Sequence, residues 1–150
     1  MTGAELHHLI DQRWNHLRQL RDLADRQIAA IGGGNMSELM RVLSAKQTPI
    51  AELGRIAERL RSALDDDPDR RVWESAQQRV ECRQRQAECE ELHLQLLAIE
   101  SQCEGELQKS RDQVRSQIER MDSGRAAANQ YAEVNRSEVR GERLDLSSDS

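Results

Sequence analysis

Three cysteines and one histidine, Cys82, Cys89, His93 and Cys103, are the residues of this chain closest in type to a metal site. Zinc prefers thiolate and imidazole ligands held within about 2.3 Å of the ion. On one helix, Cys82 and Cys103 lie about 10 and 20 Å along the axis from Cys89. One helix cannot close such a site, so we predict no metal and expect reduced thiols in an apolar seam.

Other residue types that carry chemistry are present without the pattern that the chemistry needs. His7, His8 and His16 lie in the first segment without a set of thiol or carboxylate partners. The run Gly32–Gly34 lacks the Lys and Ser/Thr of a phosphate-binding loop. Nothing in the sequence brings Ser, His and Asp together. We therefore predict no enzyme, with no catalytic and no cofactor-binding residue.

The composition favours a thin helical protein. The chain has 150 residues, of which 37% are hydrophobic, 33% charged and only 2% aromatic, with no Phe. Aromatic and β-branched residues build sheets, whereas Leu, Ala, Glu, Gln and Arg favour helices. This composition disfavours a sandwich, a barrel or a doubly wound fold and predicts an elongated all-α protein.

Charge and cysteine content narrow the partners and the compartment. The net charge is −5, and the basic residues form no cluster of the kind that binds nucleic acid or an anionic membrane surface. No apolar run reaches the length of a membrane span, and the first residues do not resemble a secretory signal. An odd number of cysteines argues for a reducing environment. These features predict a cytoplasmic protein without nucleic-acid binding or membrane insertion.

Apolar periodicity and capping residues predict three helices, at about 4–31, 36–64 and 69–121. The first two form an antiparallel hairpin, because the connection between them is short. The third is long and follows a cap at Asp67 and Pro68. Residues 1–121 thus form a helical bundle domain, and 122–150 form a flexible, partly helical acidic tail. Trp14 and Trp73 are expected to pack between the first and third helices.

The second and third helices each carry apolar stripes. In the second helix the stripe is Leu39, Leu43, Ile50, Leu53, Ala57, Leu60 and Leu64, with Val42 and Ile56 on its flank. The early stripe of the third helix is Val72, Ala76, Val80, Ala87, Leu94 and Leu97, and its later stripe runs from Cys89 through Leu96 and Cys103. Lys46 interrupts the stripe of the second helix. It either extends its ammonium to water or pairs with a polar group that fixes the helix register.

The end of the third helix is the predicted binding surface. This helix is about twice as long as the hairpin, so either it bends at Gly105 or its distal half packs on something else. The exposed stripe is Leu107, Val114, Ile118 and Met121. An apolar stripe of this length indicates a partner, which is a second copy of the chain, a client helix or the chain's own tail.

The hairpin resembles the FlgN family of flagellar export chaperones. That family shows a Leu-rich helix, a short Gly-Asp turn and a helix with Leu, Leu and Lys at fixed spacing. Here the first helix carries Leu17, Leu20, Leu23 and Ala30, the turn reads Gly34-Asn35, and the next helix carries Leu39, Leu43, Lys46, Ile50, Leu53 and Leu60. The resemblance covers about residues 6–64. Asn35 replaces the usual Asp, although both residues cap helices.

The resemblance implies a cytoplasmic, non-enzymatic chaperone for type III protein export in flagellum biogenesis. Its clients are the hook–filament junction proteins FlgK and FlgL, which it delivers to the export apparatus. In that family the C-terminal helical region holds the client, which matches the distal stripe here. The tail, with Tyr131 and Val134, is expected to order on the client or on the export apparatus. The main alternative is a coiled-coil homodimer that acts as scaffold or adaptor. A metal sensor using Cys89 and His93 is a third possibility.

Overall fold

A computed structural model describes residues 1–148, with side chains for residues 1–137. It contains three α-helices, α1 (Gly3–Gly32), α2 (Met36–Ala63) and α3 (Ala76–Ser148), and one 3₁₀ turn at Pro68–Arg70. No strand occurs among the described residues, so the predicted all-α class is confirmed. The chain divides into two compact units, Met1–Leu107 and Gln108–Ser150. That division lies before the boundary predicted at residue 121.

Local capping starts both helices of the hairpin. The backbone N–H of Glu5 donates to Thr2 Oγ1 at 3.1 Å, and the N–H of Thr2 donates to Glu5 Oε2 at 2.8 Å. Glu38 N donates to Asn35 Oδ1 at 3.1 Å. Between the helices, Gly34 adopts φ 66°, a conformation that glycine reaches without strain. The sequence patterns that predicted these two helix starts are therefore confirmed.

The third helix differs from the prediction at both ends. Asp67 and Pro68 begin only a 3₁₀ turn, and α3 begins at Ala76 instead of about residue 69. The chain between them is not helical, and it allows the Val72 carbonyl to accept from Gly3 N–H at 2.8 Å. At the other end α3 continues through Gly105 and past residue 121 to Ser148. Glycine weakens a helix but, unlike proline, does not prevent its backbone hydrogen bonds.

In the first unit, α3 packs parallel to α1. Arg85 Nε donates to Asp11 Oδ1 at 3.1 Å, and Arg21 Nε donates to Gln95 Oε1 at 3.2 Å. The residue numbers rise together on both helices, so the two helices run in the same direction. Because α2 returns along α1 from a short turn, the first unit is an up-down-up bundle of three helices.

The core of this bundle includes the three cysteines of α3. Cys82 and Cys89 are buried against Ile10 and Leu17 of α1, and Cys103 is 1% exposed. The predicted seam role of the three thiols is therefore confirmed. Other buried positions of α1 include Leu9, Leu20, Leu23, Ala24 and Ala30. The early stripe predicted for the third helix is wrong, because its large residues Val72, Val80, Leu94 and Leu97 are exposed.

Both tryptophans pack beside the core. The guanidinium of Arg85, on α3, lies 3.9 Å from the ring centre of Trp14, on α1. The Trp73 ring lies instead in the segment before α3, and it contacts the start of α1 at Gly3. The predicted packing of Trp14 between these two helices is confirmed. Trp73 shares the same core edge from a non-helical position.

The buried face of α2 is rotated from the prediction. The residues that fill the interior are Leu39, Val42, Pro49, Ile56 and Ala63. Leu43, Ile50 and Leu64 of the predicted stripe are instead exposed. Each buried position from Val42 onward precedes a predicted one by a single residue. Leu39 of the predicted stripe is nevertheless buried, and Leu53 and Leu60 are partly buried against the core, so the buried face is shifted only toward the flank that Val42 and Ile56 mark.

Candidate partner-binding surfaces

The six residues predicted to bind a client are all exposed on α3. Their exposed fractions lie between 42% for Leu107 and 70% for Tyr131. Among residues 108–137, only Ala132 has a partly buried side chain, and every other side chain is exposed. The residues are Leu107, Val114, Ile118, Met121, Tyr131 and Val134.

These six residues do not share one face of the helix. At 3.6 residues per turn, Val114, Ile118 and Met121 lie within about 60° of one another. Tyr131 and Val134 lie about 100° and 160° from Val114 around the axis, so they lie outside the face that these three residues share. We call Val114, Ile118 and Met121 the distal face. Leu107 ends the first unit, seven residues before Val114.

A second exposed apolar surface follows from the rotation of α2. Met40, Leu43 and Ile50 are 62%, 41% and 53% exposed, and they lie within about 80° of one another around the helix. We call these three residues the α2 outer face. Leu43 and Ile50 belong to the apolar stripe that the sequence predicts for the second helix. Val42 and Ile56, on the flank of that stripe, mark the buried face instead.

Lys46 connects all three helices of the first unit. Its side chain is 12% exposed, and Nζ donates to Gln27 Oε1 on α1 at 2.8 Å. It also pairs with the Glu100 carboxylate on α3. Gln27 itself is 4% exposed, so the polar link lies inside the bundle. Of the two roles left open for Lys46, pairing across the seam is therefore the one observed.

Removing the Lys46 ammonium alone is expected to destabilise the bundle. Lys46→Met leaves the buried Gln27 Oε1 without its donor, which costs about 1–3 kcal/mol in the free energy of unfolding. Adding Gln27→Leu removes the unpaired oxygen and recovers most of that loss. Urea unfolding of both variants measures the difference. A double variant that is no more stable than Lys46→Met would contradict this role of the pair.

The cysteines are buried, protonated thiols. Burial raises the pKa of the Cys89 thiol to about 11 and also raises the pKa values of Cys82 and Cys103. Cys89 Sγ lies 3.7 Å from the Ile10 carbonyl oxygen, to which it donates. Thiolates, not thiols, bind metals and attack substrates. Cys89 is fully buried whereas His93 is exposed, so the two do not form a joint site.

The raised pKa of Cys89 predicts a loss of stability at alkaline pH. Below about pH 8 the thiol is protonated in both states, so its contribution to folding is complete. Above that, the unfolded chain loses the proton first, and the free energy of unfolding falls by about 2–3 kcal/mol toward pH 11. Urea titrations across this range should give a shallower decline for Cys89→Ala. An equal decline would exclude Cys89 as the source.

Within the described residues, no three His, Cys, Asp or Glu side chains come close enough to hold a metal ion together. Nor does any helix in that part of the chain have the apolar length that a bilayer crossing needs. Comparison with protein-family models, with curated proteins and with solved structures finds no match to the chain.

Proposed function

We propose that this chain is a cytoplasmic export chaperone of the FlgN type, which binds flagellar hook–filament junction proteins such as FlgK and FlgL and delivers them to the export apparatus. The observation that carries the proposal is the exposure of residues 108–137, where apolar side chains recur on one helix face without burial. Val114, Ile118 and Met121 are each more than half exposed. When a partner covers such a surface, apolar area is removed from water, which favours binding.

The geometry favours a helical client. Apolar side chains at three- and four-residue spacing match the apolar stripe of another amphipathic helix, which packs its ridges between them. Six basic and four acidic residues lie between positions 108 and 137. Arg111 and Arg125 lie within about 60° of the distal face. A client helix with carboxylates beside its apolar stripe therefore complements this segment in charge as well as in shape.

The alternative function, a coiled-coil homodimer that serves as scaffold or adaptor, is favoured by one observation. Leu107, Val114 and Met121 are spaced at seven residues, which is the heptad period. A second copy of α3 would then cover the distal face. The two functions differ in stoichiometry, because a homodimer buries this face before any client arrives.

Light scattering combined with calorimetry separates these functions. The full chain is titrated with a synthetic peptide from the C-terminal amphipathic segment of a junction protein. The chaperone function predicts a monomer that takes up one peptide with saturable heat. A stable dimer that takes up no peptide would contradict it and would favour the homodimer.

A further inference from the structure

The base of the bundle contains a cleft that neither function uses. It has a volume of about 410 Å³ and lies where the start of α1, the end of α2, the linker and the start of α3 meet. Leu6, Ile10 and Leu60 form its apolar wall. Pockets of about this size hold small ligands or single side chains in other proteins.

Three residues that line this cleft each carry a buried polar atom without a partner. Arg71 Nε, Trp73 Nε1 and Gln86 Oε1 are the buried side-chain atoms without a hydrogen-bond partner among the described residues. All three residues line the cleft. An unpaired buried polar atom is destabilising, so three on the residues of one cleft indicate a site completed by a ligand. Two of them are N–H donors and one is an acceptor.

The charge at the cleft favours an anion. Arg71, Arg79 and Arg83 line it with one carboxylate, Asp66, although the whole chain has a net charge of −5. Asp66 already lies 3.0 Å from the Met1 ammonium and 3.8 Å from Arg71 Nη2. Neither Arg79 nor Arg83 has an ion-pair partner in the described part of the chain. The unneutralised charge at the cleft is therefore positive.

The two donors are held in place by the backbone around them. Arg71 Nη2 donates to the Ala63 carbonyl at the end of α2, at 3.4 Å, and its side chain is 9% exposed. The Trp73 ring lies so close to Gly3 that a Cβ there would be 2.4 Å from Cε3. These contacts place both residues at the cleft before any ligand arrives, and only their N–H groups have to turn toward it.

We propose that this cleft binds the C-terminal residue of a partner polypeptide whose last side chain is apolar. Such a residue carries the three groups that the cleft lacks: a carboxylate for Arg71 and Trp73, an apolar side chain for the wall, and an amide N–H for Gln86. An internal helical residue does not offer the same set, because its amide N–H already donates within its own helix. This inference does not depend on the function of the distal face.

Ligand entry has to turn the side chains. Because the three unpaired atoms are shielded from water in the empty cleft, Trp73 and Arg71 must rotate toward the carboxylate as it binds. The indole N–H of Trp73 then gains a hydrogen bond to a charged acceptor. Its proton resonance is expected to move downfield, while that of Trp14 stays in place. Trp73→Phe assigns the two resonances.

The test is calorimetry of the full chain with acetyl-Gly-Gly-Ser-Leu carrying a free C-terminal carboxylate. Amidation of the peptide is expected to weaken binding about tenfold or more, since a charged hydrogen bond contributes about 1.5–3 kcal/mol. Arg71→Gln is expected to weaken binding by a similar factor. Arg59→Gln makes the same charge change outside the cleft and should alter the affinity less than about twofold.

Several results would overturn this inference. Equal affinity for the acid and the amide would exclude carboxylate recognition. Octanoate binding as tightly as the peptide would assign the cleft to free acids instead of chain ends. An unmoved Trp73 resonance at saturation would place the peptide elsewhere. If Arg71→Gln fails to fold by circular dichroism, Trp73→Phe replaces it, with the same expected loss.

Discussion

Val114→Asp combined with Ile118→Asp is expected to weaken capture of a junction-protein peptide more than a hundredfold. Each apolar side chain buried by a client contributes about 1.5–3 kcal/mol, and each new carboxylate in that interface adds a desolvation cost. Both positions are exposed in the free chain, so folding should be unaffected. Calorimetry measures the affinity, and circular dichroism confirms that the helices persist.

Two matched variants make this result specific. Gln113→Asp with Ser116→Asp adds the same charge to the same helix, about 100° or more away from Val114, and should leave the affinity nearly unchanged. Leu43→Asp with Ile50→Asp tests the α2 outer face in the same way. Loss of capture in the α2 variant, with capture retained after substitution of Val114 and Ile118, would place the client on α2.

The second large effect, on stability, is expected from substitution of Gly3 at the base of the bundle. Gly3→Ala should destabilise the fold by about 1–3 kcal/mol, because overpacking forces neighbours out of place. The added Cβ would lie 2.4 Å from the Trp73 ring and 2.9 Å from the Val72 carbonyl oxygen. The added methyl group would push the ring and the Val72 carbonyl away and so disturb the hydrogen bond between Gly3 N–H and Val72.

Gly54→Ala is the control for this substitution. Gly54 lies inside α2, and an added Cβ meets nothing within 4 Å. Alanine is the better helix former, so this variant should be about 0.5–1 kcal/mol more stable than the original chain. Urea unfolding of the two variants should give changes of opposite sign. A Gly3→Ala variant as stable as the original would show that Trp73 does not pack on this position.

Local features of this fold were readable from the sequence, whereas the choice between two adjacent helix faces was not. Thr2, Glu5 and Asn35 cap their helices through contacts within three residues, so the sequence contains all the information needed. The heptad spacing of Cys82, Cys89 and Cys103 was also recognisable, because it lies within one helix. In α2, the adjacent residues Val42 and Leu43 are both apolar. Only packing against two other helices decides which of them is buried.

In the linker and at the base of the bundle, too, contacts between residues far apart in sequence decide the structure. Pro68 after Asp67 suits a helix start, but the hydrogen bond from Gly3 to Val72 joins residues far apart in sequence and keeps the chain extended. The cleft around Arg71 and Trp73 depends on that extended segment. Lys46 was recognisable as an unusual seam residue, although its partner Glu100 lies on another helix and has no local signature.

Amide hydrogen exchange of the full chain, with and without a bound junction-protein peptide, tests most directly whether the distal face holds a client. Helical amides in an uncovered, exposed segment open readily, and a bound partner slows that opening. We expect exchange to slow by at least about tenfold across residues 108–137, with little change in α1 and α2. Unchanged exchange across residues 108–137 at saturating peptide would contradict client binding at the distal face.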